Sequence, residues 1–291
     1  MKKMWRVLSD INELIVFKHS VFALPFIFVA MIVASFMQNG SVWFGWRLLV
    51  LGVVCAVSAR SFAMATNRLL DAKIDAPNPR CANRPSVDGR IGRGNLLLFI
   101  AINAAVFIAV AWAINPLAFK LSVPILLILG GYSLFKRFSS LAHIVLGLCL
   151  GLAPVAGCVA VSGEVSLWAV VLCVGVAFWV AGFDTLYSMQ DLEYDQKAGL
   201  YSIPARFGAK GALRFAALFH TLCVLFWAWF VKLAGLGGVA GFGVTVCGGI
   251  LLAEHLIVRR DFSKIDRAFF TLNGYLGVAF FAFVLLDLLL S

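Results

Sequence analysis

Residues 167–197 read LWAVVLCVGVAFWVAGFDTLYSMQDLEYDQK. From Leu167 to Phe183 no side chain is charged, and polar and apolar positions do not alternate. A bilayer core about 30 Å thick takes roughly 20 mostly apolar helical residues to cross. Lipid offers no partner to backbone N–H and C=O groups, so only helices or closed barrels cross it, and the lack of alternation selects a helix. The stretch therefore reads as a transmembrane helix over 166–186 that runs directly into acids: Asp184, Asp191, Glu193 and Asp195.

The pattern recurs outward in both directions. Spans are expected at about 20–38, 47–66, 95–114, 117–133, 141–161, 166–186, 214–232, 236–257 and 268–289. Of 291 residues, 62% are apolar and 13% charged, about half the charged fraction of an ordinary soluble domain, which excludes a water-soluble fold. The expectation is an all-α integral membrane protein of nine transmembrane helices, a single membrane-embedded domain over 1–291. Met1–Asp10 is basic and precedes a full-length span without a small-residue cleavage site, so the first helix is expected to be uncleaved.

The net charge of +10 reflects topology and not nucleic-acid binding. With the N-terminus inside, 20 of the 24 Lys and Arg fall on inner segments, while Arg47, Lys120 and Lys232 lie outside and Arg60 within a span. This is the asymmetry of the positive-inside rule, and it predicts a multi-pass protein of the inner (plasma) membrane with a cytoplasmic N-terminus. The basic inner face would also favour anionic membrane lipids or phosphorylated substrates. Six of the seven cysteines lie in apolar spans and Cys81 in an inner loop; no spacing suggests a disulfide or a zinc site.

Two inner loops are long and open on carboxylates: 67–94, with Asp71 and Asp75, and 187–213, with Asp191, Glu193 and Asp195. Pro77, Pro79 and Pro85 should end any helix in the first, Gly199 and Pro204 in the second. If span two continues into its loop at 100° per residue, Arg60, Asn67, Asp71 and Asp75 share an arc of about 80°; on span six Asp184, Asp191 and Asp195 share about 40°, with Glu193 opposite. Carboxylates one turn apart repel, more so when partly dehydrated. Two such pairs beside an apolar interior call for a cation. Oxygen-only ligands suit Mg²⁺, which is commonly held by one or two carboxylates with substrate phosphates completing its shell. Solvated loop charge would explain one pair, but two pairs flush with span ends read as a diphosphate–Mg²⁺ site.

These residues resemble a known family. Asn67-x-x-x-Asp71-x-x-x-Asp75 followed by Arg84-Pro85 is similar to the first signature of the UbiA-type intramembrane aromatic prenyltransferases. The run Asp184-Thr185-x-Tyr187-x-x-x-Asp191-x-x-x-Asp195-x-x-x-Gly199-x-x-Ser202 resembles the second. KHSVFALPF from Lys18, Tyr132-Ser133-x-x-Lys136-Arg137, and LGLCLGLAPVAG in span five match as well. Arg68 stands where many members carry Asp, a departure that leaves Asn67, Asp71 and Asp75 intact and resembles the branch acting on 4-hydroxybenzoate, with dihydroxynaphthoate in menaquinone synthesis as the alternative.

The resemblance implies a nine-helix bundle around a central cavity, capped by the two motif loops on the cytoplasmic side. It implies Mg²⁺ on Asp71, Asp75, Asp191 and Asp195, and catalytic roles for Asp184, Arg60 and Lys136. Substrate contacts would fall to Asn67, Lys18, Tyr132, Arg137 and Tyr187. Asp184 would orient or deprotonate an aromatic acid acceptor, Arg137 would pair with its carboxylate, and Lys136, Lys18 and Arg60 would steady the departing diphosphate of the prenyl diphosphate donor. The rival from another class is a small-molecule transporter, but transporters place their charges near the bilayer midplane, and these acids gather at one interface.

Simpler roles are expected for the other polar residues. Gly147, Gly151, Pro154 and Gly157 form a helix-packing face. Asn103 and Asn273 are expected to join helices by hydrogen bonds, and Trp5, Trp43, Trp46 and Trp168 to act as interfacial anchors. His143, His220 and His255 share no spacing that would make a site.

Overall fold

The computed structural model describes Asp10, Glu13, Leu14, residues 24–262, Ile265 and residues 268–291. Among these residues the chain is helical without strands. Its long helices are α1 (Leu24–Asn39), α2 (Trp46–Asp75), α3 (Arg93–Ile114), α4 (Pro116–Gly131), α5 (Ala142–Ser162) and α6 (Leu167–Tyr187). A short α7 (Leu192–Lys197) precedes α8 (Ile203–Leu233), α9 (Gly238–Arg260) and α10 (Asn273–Leu290). Eight helical segments are long and apolar enough to cross a membrane, and α1 adds a shorter apolar helix. The nine expected spans each have a helical counterpart.

Helix α6 is the axis of the bundle. Its apolar stretch is 78% buried inside the protein, against 17–39% for the other spans. Phe26 of α1, Trp179 of α6, Trp227 of α8 and Phe280 of α10 are fully buried around it. Ring centroids lie 5.0 Å apart for Phe26–Trp179 and 4.6 Å for the stacked Trp227–Phe280 pair. Such pairs add about 0.5–1.5 kcal/mol each beyond burial. That matters here because lipid supplies no hydrophobic drive between helices.

Close approach of α5 to α6 needs glycine. A Cβ on Gly147 would stand 2.2 Å from the Ala177 carbonyl oxygen, and one on Gly151 2.5 Å from that of Cys173. Gly157 faces Ile27 of α1 in the same way, so the packing face read in the sequence serves two partners. Asn273 also acts as expected between helices: Trp179 Nε1 donates to its Oδ1 at 2.7 Å, and its amide donates to Glu254 Oε1 at 3.1 Å. Asn103 differs, donating to Phe99 O on its own helix at 2.8 Å. Trp43 and Trp46 are exposed as anchors should be, but Trp168 is 7% exposed and packs in the core against Phe230.

The two motif loops depart from expectation in instructive ways. Helix α2 continues to Asp75 as the stripe argument required, and the chain then descends through tight turns closed by Asn78 N–Asp75 O, Cys81 N–Asn78 O and Arg84 N–Cys81 O bonds. Helix α6 does not run on: Ser188–Asp191 tightens into a 3₁₀ turn before α7. Gly199, at φ 66°, ends α7 in the left-handed region. Pro204, expected to break a helix, instead sits in the first turn of α8, where its missing N–H costs nothing; the Ser202 side chain caps that turn by accepting from Ala205 N at 3.2 Å. Gly208, at φ 68°, then bends α8.

Candidate active site

Where the ends of α2, α4 and α6 meet the motif loops, a polar chamber of about 150 Å³ is lined by Asn67, Asp71, Asp75, Lys136, Asp191 and Asp195, with Arg80 and Arg84 from the first loop. Asp71 and Asp75 are 1% and 4% exposed. Charges that deep require partners, and each has one. Lys136, in the 3₁₀ turn Tyr132–Arg137 that ends α4, places Nζ 2.8 Å from Asp71 Oδ2. Asn67 donates to the same oxygen at 2.7 Å. Arg84 pairs with Asp75. Arg80 reaches across to the other loop and grips Asp191 with two donors, Nε at 2.8 Å, while Asn78 adds a third at 3.2 Å. Burial works against the Arg80 charge, but this carboxylate holds its pKa above the usual arginine range. Tyr194 closes the junction by donating to the Ile74 carbonyl.

The chamber suits a hard divalent ion in its oxygen-rich donor set, and Asp71 Oδ1 is a buried acceptor without a hydrogen-bond donor. Among the described residues no three acidic, His or Cys side chains lie close enough to hold a metal alone. Mg²⁺ commonly takes one or two carboxylates and leaves the rest of its shell to water and phosphate.

Deeper in the bundle lies a cavity of about 640 Å³. It shares Asn67, Arg68, Arg80 and Arg84 with the polar chamber and adds Arg60, Tyr132, Asp184 and Tyr187. Arg80 stacks 5.2 Å over the Tyr187 ring. Beyond it an apolar chamber of about 120 Å³, lined by residues such as Phe107, Ile125 and Leu129, shares Arg60, Met64, Tyr132, Leu146 and Leu150 with the middle cavity. The three spaces are neighbours that share wall residues, polar at the carboxylate end and apolar at the other.

Asp184 and Arg60 thus stand apart from the carboxylate pairs, facing the middle cavity and not the polar chamber. The Arg60 Nε is buried without a hydrogen-bond partner. Glu193 is exposed and lines none of these spaces, as the helical stripe anticipated. Arg137 lies behind Asp71, donating to the Leu70 carbonyl at 2.7 Å with Asp71 Oδ1 at 3.5 Å, and does not line the middle cavity. Lys18 lies outside the described residues.

Sequence reasoning missed three contributors. Arg80 and Asn78 carried no periodic signal, since they sit in turns. His143 was set aside, yet its Nδ1 lies 2.7 Å from Asp184 Oδ2. Its spacing of four from Gly147 and Gly151 was the available clue, because that face meets α6. Arg68, the departure from the common pattern, is buried with its Nη1 4.0 Å from Asp75 Oδ2 and its Nε donating to Leu14 O at 3.4 Å.

The model of the UbiA prenyltransferase family matches residues 23–284. The chain belongs to the UbiA prenyltransferase family. It is 32% identical to a 4-hydroxybenzoate octaprenyltransferase of Saccharophagus degradans over 84% of this chain and 82% of that protein. A relative with the same name from Methylobacillus flagellatus is 31% identical over 83% and 82%. Among solved structures, the apo form of a UbiA homolog from Aeropyrum pernix K1 superposes with a TM-score of 0.82 at 31% identity, covering 92% of this chain and 98% of that one. This UbiA-family chain is therefore a membrane-embedded prenyltransferase, and the transporter reading falls away.

Proposed function

We propose that this enzyme transfers a polyprenyl group from its diphosphate to a ring carbon of 4-hydroxybenzoate, in quinone biosynthesis, at the inner membrane with the N-terminus and motif loops cytoplasmic. The observation that carries the reading is the succession of three neighbouring spaces with shared wall residues: a carboxylate chamber, a cavity bearing Asp184 and an unpartnered Arg60 nitrogen, and an apolar chamber. A diphosphate suits the carboxylate chamber, and an aromatic acid beside the first isoprene units of a prenyl chain suits the middle cavity and its apolar neighbour. The names of the relatives point to the same acceptor, and a fold neighbour from Archaeoglobus fulgidus is bound to DMAPP and Mg²⁺.

In this reading Asp71, Asp75, Asp191 and Asp195 would hold Mg²⁺ with substrate phosphate completing its shell, and the ion would supply charge neutralisation to the departing diphosphate. Arg80, Arg84 and Lys136, now on the carboxylates, supply cationic donors to the leaving oxygens, with Asn67 and Lys18 assisting. The C–O bond breaks with its electron pair on the diphosphate, and an allyl cation remains. Tyr132 and Tyr187 wall the space where that cation must be kept from water. A pair of ring π electrons forms the new C–C bond. Asp184 takes the phenol proton as the ring attacks and returns it when the ring C–H proton leaves, so one proton departs overall with diphosphate.

The carboxylate of the acceptor falls to Arg60 by position. Arg60 lines the middle cavity, whereas Arg137 is engaged behind Asp71, and a buried guanidinium without a full set of acceptors suits a carboxylate. Incubating membranes with labelled prenyl diphosphates and a panel of phenolic and naphtholic acids tests the assignment. Transfer to 4-hydroxybenzoate is expected; transfer to dihydroxynaphthoate alone would redirect the acceptor, and transfer to none of the acids would sink the reading.

A further inference from the structure

His143 has no place in the reaction as described, yet it is held from both sides. It is 4% exposed near the start of α5, on the face of Gly147 and Gly151. Helices α5 and α6 pair Gly151 with Cys173 and Gly147 with Ala177; one more step of four along α5 brings residue 143 to the turn of α6 that carries Asp184. The backbone N–H of Ile203 points at His143 Nε2 from 3.2 Å. An amide N–H can only donate, so Nε2 is the acceptor nitrogen and the neutral ring carries its proton on Nδ1. That proton is donated to Asp184 Oδ2 across 2.7 Å.

We propose that His143 is a positioning residue, which fixes the Asp184 carboxylate by one hydrogen bond from a backbone-locked imidazole tautomer and so leaves the other oxygen to engage the hydroxyl of the acceptor. A base oriented by a third group presents its lone pair in one direction, and a carboxylate free to rotate does not. The donor of the lock has a second consequence. Ile203 begins α8 directly after Ser202, the last residue of the second motif, so the imidazole ties the loop carrying Asp191 and Asp195 to the acid that faces the acceptor.

The inference rests on the proposed aromatic substitution, and steady-state kinetics of intact enzyme in membranes, with both substrates varied, tests it. His143→Leu should lower kcat about tenfold or more while the KM for the prenyl donor stays within about twofold. His143→Asn, whose amide nitrogen can take the place of Nδ1, should recover to within about threefold of wild type, and His143→Gln should not. In an Asp184→Asn background, His143→Leu should cost nothing further, because a residue acting through another is silent once that other is removed. Asn no better than Leu or Gln, a full additive loss on Asp184→Asn, or a Leu variant within twofold of wild type would overturn the proposal. Should the Leu variant fail to fold, the Asn and Gln pair decides alone. A wild-type enzyme that prenylates no aromatic acid overturns the function reading and this inference together, whereas an active wild type with an unaffected Leu variant overturns only this one.

Discussion

Lys136 Nζ and Asp71 Oδ2 lie 2.8 Å apart, joining the end of α4 to the last turns of α2. The Asp71 side chain is 2% exposed and that of Lys136 29%, so the anion is the buried member and the lysine the one with freedom to move. Lys136→Met is therefore expected to remove a donor from the leaving diphosphate and to lower kcat/KM for the prenyl donor roughly a hundredfold. Lys136→Arg should retain more of it. A Met variant with unchanged donor kinetics would reduce the pair to a structural tie.

Metal removal should abolish activity. Asp71, Asp75, Asp191 and Asp195 line one small chamber, and a Mg²⁺ ion held there with substrate phosphate in its shell should be open to chelation. Chelation with EDTA is expected to silence purified membranes, and Mg²⁺ or Mn²⁺ to restore them. Full turnover after exhaustive chelation would rule the mechanism out.

Three acids of the second loop should behave unequally. Asp191 and Asp195 line the polar chamber, whereas Glu193 is exposed. Asp195→Ala is expected to lose roughly a hundredfold or more in rate, and Glu193→Ala to stay within about twofold. Initial rates at saturating Mg²⁺, normalised to folded protein, make the comparison; equal losses would place Glu193 among the groups that bind the metal or diphosphate.

The two guanidiniums should separate by substrate. Arg60→Leu is expected to raise the acceptor KM about tenfold or more with little change for the donor. Arg137→Ala, removing a support of Asp71 and Leu70, should affect both substrates alike. A selective acceptor defect in Arg137→Ala would return the carboxylate to Arg137.

Topology is accessible through thiol labelling, with care over position. Cys81 lies in the first motif loop, but it is 2% exposed and burial pushes its thiol pKa up, so it should react slowly from either side. Ala82 and Ala198 are exposed in the two loops. Single cysteines there, in a cysteine-free background, should be labelled from the cytoplasmic side only; labelling from outside would invert the orientation.

The membrane fold was legible because a span is a property of consecutive residues. The polar stripe on α2 was legible too, since Asn67, Asp71 and Asp75 repeat every four residues and the helix continues through them. The same logic grouped Asp184 with Asp191 and Asp195, but a 3₁₀ turn at Ser188–Asp191 intervenes, and Asp184 serves a different cavity. Arg80, Asn78 and His143 were illegible for another reason. Their partners lie 111, 113 and 41 residues away, and nothing in local periodicity encodes a contact made by folding back.

Gly147 and Gly151 were introduced as sites of close packing, but they also act as a gauge. With a Cβ allowance of only 2.2 Å at Ala177 O and 2.5 Å at Cys173 O, even one methyl group must push α5 away from α6. Relieving a 2.2 Å contact takes a shift of about an ångström, which a bundle tolerates but a reacting constellation held to about half an ångström does not. Alanine at Gly147 should thus yield a protein that inserts and folds while its imidazole and carboxylate stand out of reach of each other. In this enzyme the smallest side chains set the calibration of the chemistry.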